Sequence, residues 1–322
     1  MTDRAVPDAA STARHPALRV SLTDRVQYVA IRAVVGALRR IGWRGASHVG
    51  RWLGRIAWSP VGIRRRVVER HVAAAFPTFT PAEVQQCARG AFESVGRTFI
   101  ETAVLGGASP AHVQDAVREV EGWEVLEQAI AQGVGVIAVG GHLGNWELAA
   151  AYIAARGVPM AAIARRMANP LFDRYVLDTR TALGIEIITD AAAIRRVPRA
   201  LAEGKVVGFL CDQDALGLAS TFVPFFGRPA RTPRGPGVFA LRLGAPVIFI
   251  TCARRPDGYY RLSITSVPVV VTGDRDRDVD AVVLAFTQQL EADIRRTPAQ
   301  YFWHHRRWKR QPPDTPAHLR EP

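Results

Sequence analysis

In the stretch GVGVIAVGGHLGNWELAAAYIA, Gly133 to Ala154, His142 stands five positions ahead of Glu147 on a turn punctuated by glycines. A histidine beside a carboxylate is equipped for proton transfer. One ring nitrogen can take a proton from a hydroxyl, while the carboxylate on the other fixes the tautomer and stabilises the imidazolium that forms. The sequence assigns these roles to His142 and Glu147. The same two residues could merely cap and decorate a helix. Against that reading, the Ala, Leu and Trp around them make an unpaired His and Glu costly to desolvate.

The elements that must position this pair follow from the local pattern. Val134 to Val139 is a short, continuous, β-branched run, as in a strand buried on both faces, and Glu147 to Ala155 is an alanine-rich helix former. His142 falls on the turn between them, with Gly140, Gly141 and Gly144 allowing the bend and Asn145 as N-cap. Alternation then continues: strands at Pro159 to Ala164, Ile185 to Ile188 and Val206 to Leu210, with helices at Leu171 to Leu183 and Ala191 to Ala202 between them. Upstream, Pro81 to Val104 and Trp123 to Ala131 read as helices. Downstream, strands are expected at Phe222 to Phe226, Val247 to Thr251 and Tyr260 to Thr265, with helices at Gly235 to Leu243 and Val279 to Arg296. The pattern predicts an α/β fold with a mostly parallel or mixed central sheet wrapped by helices, preceded by a helical membrane-facing segment.

Four further clusters fall at strand ends, where open α/β sheets hold their ligands. Arg165 and Arg166 leave a strand just before Asn169-Pro170 opens a helix, and an arginine there can grip a phosphate or carboxylate. Asp212, Gln213 and Asp214 follow the strand Val206 to Leu210. They could orient Arg165, contact an acceptor hydroxyl or cap a loop, and orientation is the favoured use. The loop after Phe225 and Phe226 carries Arg228, Arg231, Thr232 and Arg234 into a helix start suited to an anion. The two phenylalanines could line an acyl groove, although an aromatic strand end is more often core. The last cluster, Tyr301 to Arg310, alternates aromatic and cationic residues without an acid and reads as a surface contact for lipid headgroups or an acidic partner.

Composition bounds these readings. The 322 residues carry a net charge of +13, and residues 1 to 70 supply ten of those charges, through fourteen Arg against Asp3, Asp8, Asp24 and Glu69. Tyr28 to Ile41 places Tyr28, Ile31, Val34, Val35, Leu38 and Ile41 on one helical stripe, with Arg32 and Arg39 beside it. A membrane span needs about 20 uninterrupted apolar residues, and these arginines break the run. With Trp43, Trp52 and Trp58 close behind, the segment reads as lying on an anionic membrane surface. Cys87, Cys211 and Cys252 are widely spaced, which gives neither a disulfide framework nor a thiolate metal site and suits a reducing, cytosol-facing location. No His lies at metal-ligand spacing from the Asp-Gln-Asp acids, so no metal is expected. Zinc-finger spacing, an RNP-like strand and a basic region leading into heptads are all absent, so no nucleic-acid partner is expected either.

Taken together, several motifs in this order resemble the bacterial late-stage lipid A acyltransferases, over about residues 25 to 310. They are His142-x4-Glu147, Arg165 with Asn169-Pro170, the Asp-Gln-Asp, the FFGRPARTPRGP loop and the terminal WHHRRWK. The chain is similar to the phosphatidylinositol mannoside acyltransferases as well. The resemblance implies a glycerophosphate-acyltransferase-like fold at the cytoplasmic face of the bacterial inner membrane, peripheral or shallowly inserted. It implies an activity that moves a fatty acyl chain from acyl carrier protein or coenzyme A to a hydroxyl of a glycolipid or phospholipid. No cofactor is required beyond that thioester donor. By the same resemblance His142 is the general base, Glu147 its partner and Arg165 the contact for a phosphate-bearing substrate. Asn169, Asp212, Gln213, Asp214, Arg231, Thr232 and Arg234 complete the expected substrate contacts. A thioester is already activated, so no enzyme nucleophile is needed, and GxSxG is absent. Amides around Gly141 and Gly144 are the candidate oxyanion donors.

The expected organisation is a disordered leader at residues 1–24 and one catalytic domain at 25–310, whose residues 25–70 form the membrane-associating helices. A flexible tail is expected at 311–322. Two other readings compete. One is a non-catalytic membrane-binding protein that keeps the fold. The other is a dinucleotide-binding oxidoreductase, disfavoured because Gly133 and Gly135 precede the strand and Arg165 stands where a ribose-binding acid belongs.

Overall fold

The computed structural model describes residues 21–165, 167, 169–214 and 217–322; Arg166 and most of the expected leader lie outside them. Four helices come first: α1 (Leu22–Arg40), α2 (Gly42–Trp58), α3 (Arg65–Ala75) and α4 (Pro81–Leu105). The α/β part follows as α5 (Pro110–Ala116), β1 (Val117–Glu121), α6 (Trp123–Ile130), β2 (Val136–Gly140), α7 (Trp146–Ala155), β3 (Met160–Ala164), α8 (Pro170–Ala182), β4 (Ile185–Thr189), α9 (Ala193–Ala202) and β5 (Val206–Leu210). A hairpin of β6 (Ser220–Phe225) and β7 (Arg228–Pro233) leads to α10 (Gly235–Leu243), β8 (Val247–Arg254), β9 (Tyr260–Val267) and α11 (Arg275–Arg296).

Seven strands form one sheet in the order β1-β9-β8-β2-β5-β3-β4. All neighbouring pairs are parallel except β8 with β9. The sheet is therefore mixed, as the sequence predicts. Its order is not sequential. The crossover from β2 through α7 lands on β3 two places away, and β5 returns to fill the gap between them. Successive residues of β2 face opposite layers. Val136 and Ala138 pack with Leu148, Ile153 and Met160 on the α7 side. Ile137 and Val139 pack with Phe286, Leu290 and Tyr301 on the α11 side.

The amino-terminal helices dock by close backbone approach. A Cβ on Gly50 of α2 would lie 2.6 Å from the Gly96 carbonyl of α4, and one on Gly54 would lie 2.2 Å from the Phe92 carbonyl, so only glycine fits this seam. Arg51 and Arg55 then reach Glu93 at 2.7 Å each. The predicted apolar stripe on α1 is divided by this docking. Val35 and Leu38 are buried, whereas Val34 and Ile41 stay exposed along with Leu22, Val26 and Val29. Of the three nearby tryptophans, Trp52 is exposed, while Trp58 is buried edge-on to Phe92 and Trp43 packs on Tyr260. Among the described residues no helix is long and apolar enough to cross a membrane.

Both expected termini are revised. Helix α1 begins at Leu22, inside the expected leader, because Ser21 and Asp24 form a reciprocal capping box at 3.0 and 2.9 Å. The carboxy-terminal segment 311–322 packs back on the domain instead of trailing. Gln311 donates to the Pro229 and Leu319 carbonyls, Glu321 pairs with Arg306, and Thr315 is buried.

Candidate active site

Strand order decides which side chain meets His142. Register pairs Gly140 at the end of β2 with Leu210 at the end of β5, and the Cys211 amide donates to the Gly140 carbonyl at 3.1 Å. The residues two positions beyond these ends are His142 and Asp212. Asp212 Oδ1 lies 2.7 Å from His142 Nδ1, and Oδ2 accepts the His142 backbone amide at 2.8 Å. With Nδ1 so engaged, Nε2 is left as the proton acceptor. Asp212 is buried and His142 is partly exposed. Burial by itself would raise the Asp212 carboxyl, but the His142 side chain and amide, helped by Arg307, outweigh it and hold the group down at about 2.

This geometry corrects the expected partnership. Glu147 leaves His142 to Asp212 and turns its carboxylate to Arg180 of α8, which donates through Nε at 3.0 Å and Nη2 at 2.5 Å. Asp212 orients His142, not Arg165. The Arg180 and Glu147 side chains are about four-fifths or more buried, and they form part of the wall of an apolar cleft between α7 and the sheet. Small residues open this cleft: Ala138 and Gly140 on β2, Ala149 on α7 and Gly208 on β5, with Met160 and Ile250 nearby. It holds about 720 Å³ of empty space, part of it open to solvent. Gly141 and Leu143, which flank His142, also line it. So does Trp146, whose ring meets the imidazole edge-on at 4.7 Å.

The turn carrying His142 is braced from below. Asn145 caps α7 as predicted, accepting the Leu148 amide at 3.0 Å, and its Nδ2 donates to Glu101 of α4 at 2.9 Å. Glu101, fully buried, also accepts from Arg254 and Tyr260. Thr98 donates to the Gly144 carbonyl at 2.8 Å.

Other expected contacts are engaged elsewhere. The Gly144 amide donates to the Gln300 carbonyl at 3.1 Å, which removes it as an oxyanion donor. Gly141 packs tightly instead: a Cβ there would lie 2.7 Å from Leu290 and 3.3 Å from the Asp212 carboxyl. Arg165 is mostly exposed beyond β3 and pairs with Asp190 at 3.1 Å. Asn169 is the cap of α8, accepting the Leu171 and Phe172 amides, and its Nδ2 reaches Gln27 of α1. Asp214, two residues past Asp212 with Gln213 between, takes Arg231 and Arg310 at 2.8 Å each. Thr232 is fully buried and accepts from Arg307. Arg234 clamps the hairpin to α11 through Asp276 and Asp280 at 2.8 and 2.7 Å. Phe225 is core, packed against Tyr301 and Trp308. The terminal WHHRRWK is also inside: Trp303, Trp308 and Arg307 are buried, so the expected surface contact does not form there.

The thiols near the centre are unsuited to nucleophilic attack. Burial, the largest influence on both, pushes Cys211 and Cys252 well above an ordinary thiol. What remains is a carboxylate-held histidine at the strand ends of a mixed sheet, beside an apolar cleft. That combination suits proton transfer beside an apolar ligand. Comparison with known sequences agrees: the profile described as bacterial lipid A biosynthesis acyltransferase matches residues 18–310, and the chain belongs to that family. It is 29% identical over 271 residues to a lipid A biosynthesis lauroyltransferase of Escherichia coli (strain K12), covering 84% of this chain and 87% of the relative. A lipid A biosynthesis palmitoleoyltransferase of the same organism is 28% identical over 82% of this chain and 85% of its own. A phosphatidylinositol mannoside acyltransferase of Mycobacterium tuberculosis (strain ATCC 25618 / H37Rv) is 28% identical over 58% of each chain. The protein is thus an acyltransferase acting on lipid acceptors, which displaces the oxidoreductase and non-catalytic readings.

Proposed function

We propose that the protein transfers a fatty acyl chain from an acyl carrier protein or coenzyme A thioester to a hydroxyl of a glycolipid of lipid A type, with His142 as base. The observation that carries this reading is the 2.7 Å contact of His142 Nδ1 with buried Asp212, set beside the cleft. His142 Nε2 takes the acceptor's hydroxyl proton as its oxygen bonds to the thioester carbonyl carbon. The tetrahedral adduct then collapses, the C–S bond breaks, and the imidazolium returns the proton to the leaving thiolate. Asp212 stabilises the imidazolium between these steps. The acyl chain occupies the apolar cleft, and the Glu147–Arg180 pair fixes the cleft wall beside α7. The activated thioester needs no enzyme nucleophile, in keeping with the buried, protonated thiols.

Membrane association at the cytoplasmic face belongs to the same reading. Its support is the exposed Leu22, Val26 and Val29 on α1 and Trp52 and Leu53 on α2, interspersed with arginines. The test uses purified protein with acyl thioester donors and anionic vesicles carrying a glycolipid acceptor. Thiol release and the mass of the acceptor are followed together. Equal gain of one acyl mass and one thiol per turnover is expected. Thioester hydrolysis with the acceptor unchanged would overturn the proposal.

A further inference from the structure

The segment from Gln300 to Trp308 ties the catalytic turn to the rest of the molecule. Gln300 accepts the Gly144 amide through its carbonyl, and its side chain exchanges two hydrogen bonds of 2.7 Å with the Arg254 backbone on β8. Tyr301 forms an antiparallel bridge with Leu143, and the Phe302 amide donates to the His142 carbonyl at 3.0 Å. Backbone hydrogen bonds from this strap thus hold the His142 carbonyl and the Gly144 amide, on either side of Leu143. Further along, Trp308 Nε1 donates to the Phe225 carbonyl at 3.2 Å, and Arg307 bonds the Arg231 carbonyl and Thr232 Oγ1 at 2.5 Å each. Arg64 and His71 from the amino-terminal helices hold the strap's outer side through the His304 and Trp303 carbonyls.

Two side chains of this strap turn inward toward Asp212. Tyr301 is 3% exposed. Burial first, and then the charge of Asp212, push its phenol well up, so it stays a neutral O–H against the carboxylate. Arg307 is also 3% exposed, and the hairpin occupies only the outer edge of its fork; Nε has no hydrogen-bond partner among the described residues. Its charge acts on Asp212, Asp214 and Tyr301. A cation buried to this degree is costly unless carboxylates offset it, and the nearby Asp212 and Asp214 supply that offset.

We propose that Tyr301 and Arg307 are positioning residues for acyl transfer, helping to hold the Asp212 carboxylate against His142, so that the carboxy-terminal strap is part of the catalytic apparatus. Asp212 then has three kinds of support: the His142 ring and amide, a phenol and a guanidinium. The other charged or titratable groups facing this pair are the Cys211 thiol, His305, whose Nε2 accepts the Asp214 amide at 3.1 Å, and the cluster of Asp214 with Arg231, Lys309 and Arg310. A positive charge near the pair disfavours the imidazolium, and a donor on Asp212 draws the carboxylate's charge away from it. Loss of either group should therefore move the acid limb of the activity profile upward.

The inference rests on His142 acting as base, and the test separates the two. Tyr301→Phe, Arg307→Gln and Arg307→Lys are compared with wild type and His142→Ala in the thiol-release assay across pH, with melting temperature measured in parallel. Removing one support from a buried carboxylate should lower kcat by about 10- to 100-fold. The midpoint of the acid limb should also rise, further for Arg307→Gln than for Tyr301→Phe. Arg307→Lys, which keeps the charge, should hold the limb in place. If kcat falls with melting temperature while the limb stays fixed in all variants, or if Tyr301→Phe has wild-type kcat, the strap is only structural. A fully active His142→Ala enzyme would instead overturn the base itself.

Discussion

Replacing Asp212 by Asn changes one atom and almost no volume, yet it reverses a hydrogen bond at the centre of the site. The carboxylate accepts from the His142 amide at 2.8 Å and from Nδ1 at 2.7 Å. An asparagine keeps the amide bond with its oxygen and presents an NH₂ to the ring. Nδ1 must then become the acceptor and the proton moves to Nε2, the nitrogen that has to receive the hydroxyl proton. An inverted tautomer of this kind costs about 10⁴-fold in kcat. Stability changes much less. The Asp212 carboxyl is held at about 2 against an ordinary 3.8, which corresponds to about 2 kcal/mol. A group depressed in the folded state gives stability that is fully present above its ordinary value and lost as pH falls through the folded one. For Asp212 that window runs from about pH 4 down to about pH 2. Asp212→Asn should therefore melt only a few degrees lower at neutral pH (about 2 kcal/mol,) and show a shallower acid loss between those limits. Thiol release by the folded variant above about a tenth of the wild-type rate would refute the tautomer argument.

Glu101→Ala removes the acceptor shared by Asn145, Arg254 and Tyr260 and strands a buried guanidinium, so denaturation should show a loss of about 3–5 kcal/mol; a loss under about 1 kcal/mol would mean that water replaces the carboxylate. Gly208→Val fills the cleft floor, where an added Cβ would lie 3.1 Å from the Met160 methyl. In competition between thioesters of mixed length, its preference should move about tenfold or more toward shorter chains, and an unchanged preference would place the acyl chain elsewhere.

The sequence made the histidine and the elements around it visible, because a β-branched run, glycines and an alanine-rich helix are local signals. The bounds of β5 and α10 agree with expectation to the residue, and β2, α7 and α8 to within one or two. The partner of His142 was not visible. Glu147 is near in sequence, whereas Asp212 is near only because β5 inserts between β2 and β3, and strand order is a property of the whole sheet. Arg180, which claims Glu147, carried no motif at all. The terminal WHHRRWK misleads for a related reason. Alternating rings and cations resemble a headgroup contact, but the hairpin supplies Thr232 Oγ1 and the Arg231 carbonyl to Arg307, and those acceptors make burial possible. The short β1 and the expected substrate contacts Arg231 and Arg234 follow the same rule, since their partners lie 17 to more than 100 positions away.

Turnover by His142→Ala is the most direct measurement of the central claim. With the variant folded, as judged by melting, and saturating thioester and vesicle-borne acceptor, coupled thiol release and acceptor acylation should fall by about 10² to 10⁴. A rate within threefold of wild type would show that another group removes the acceptor's proton.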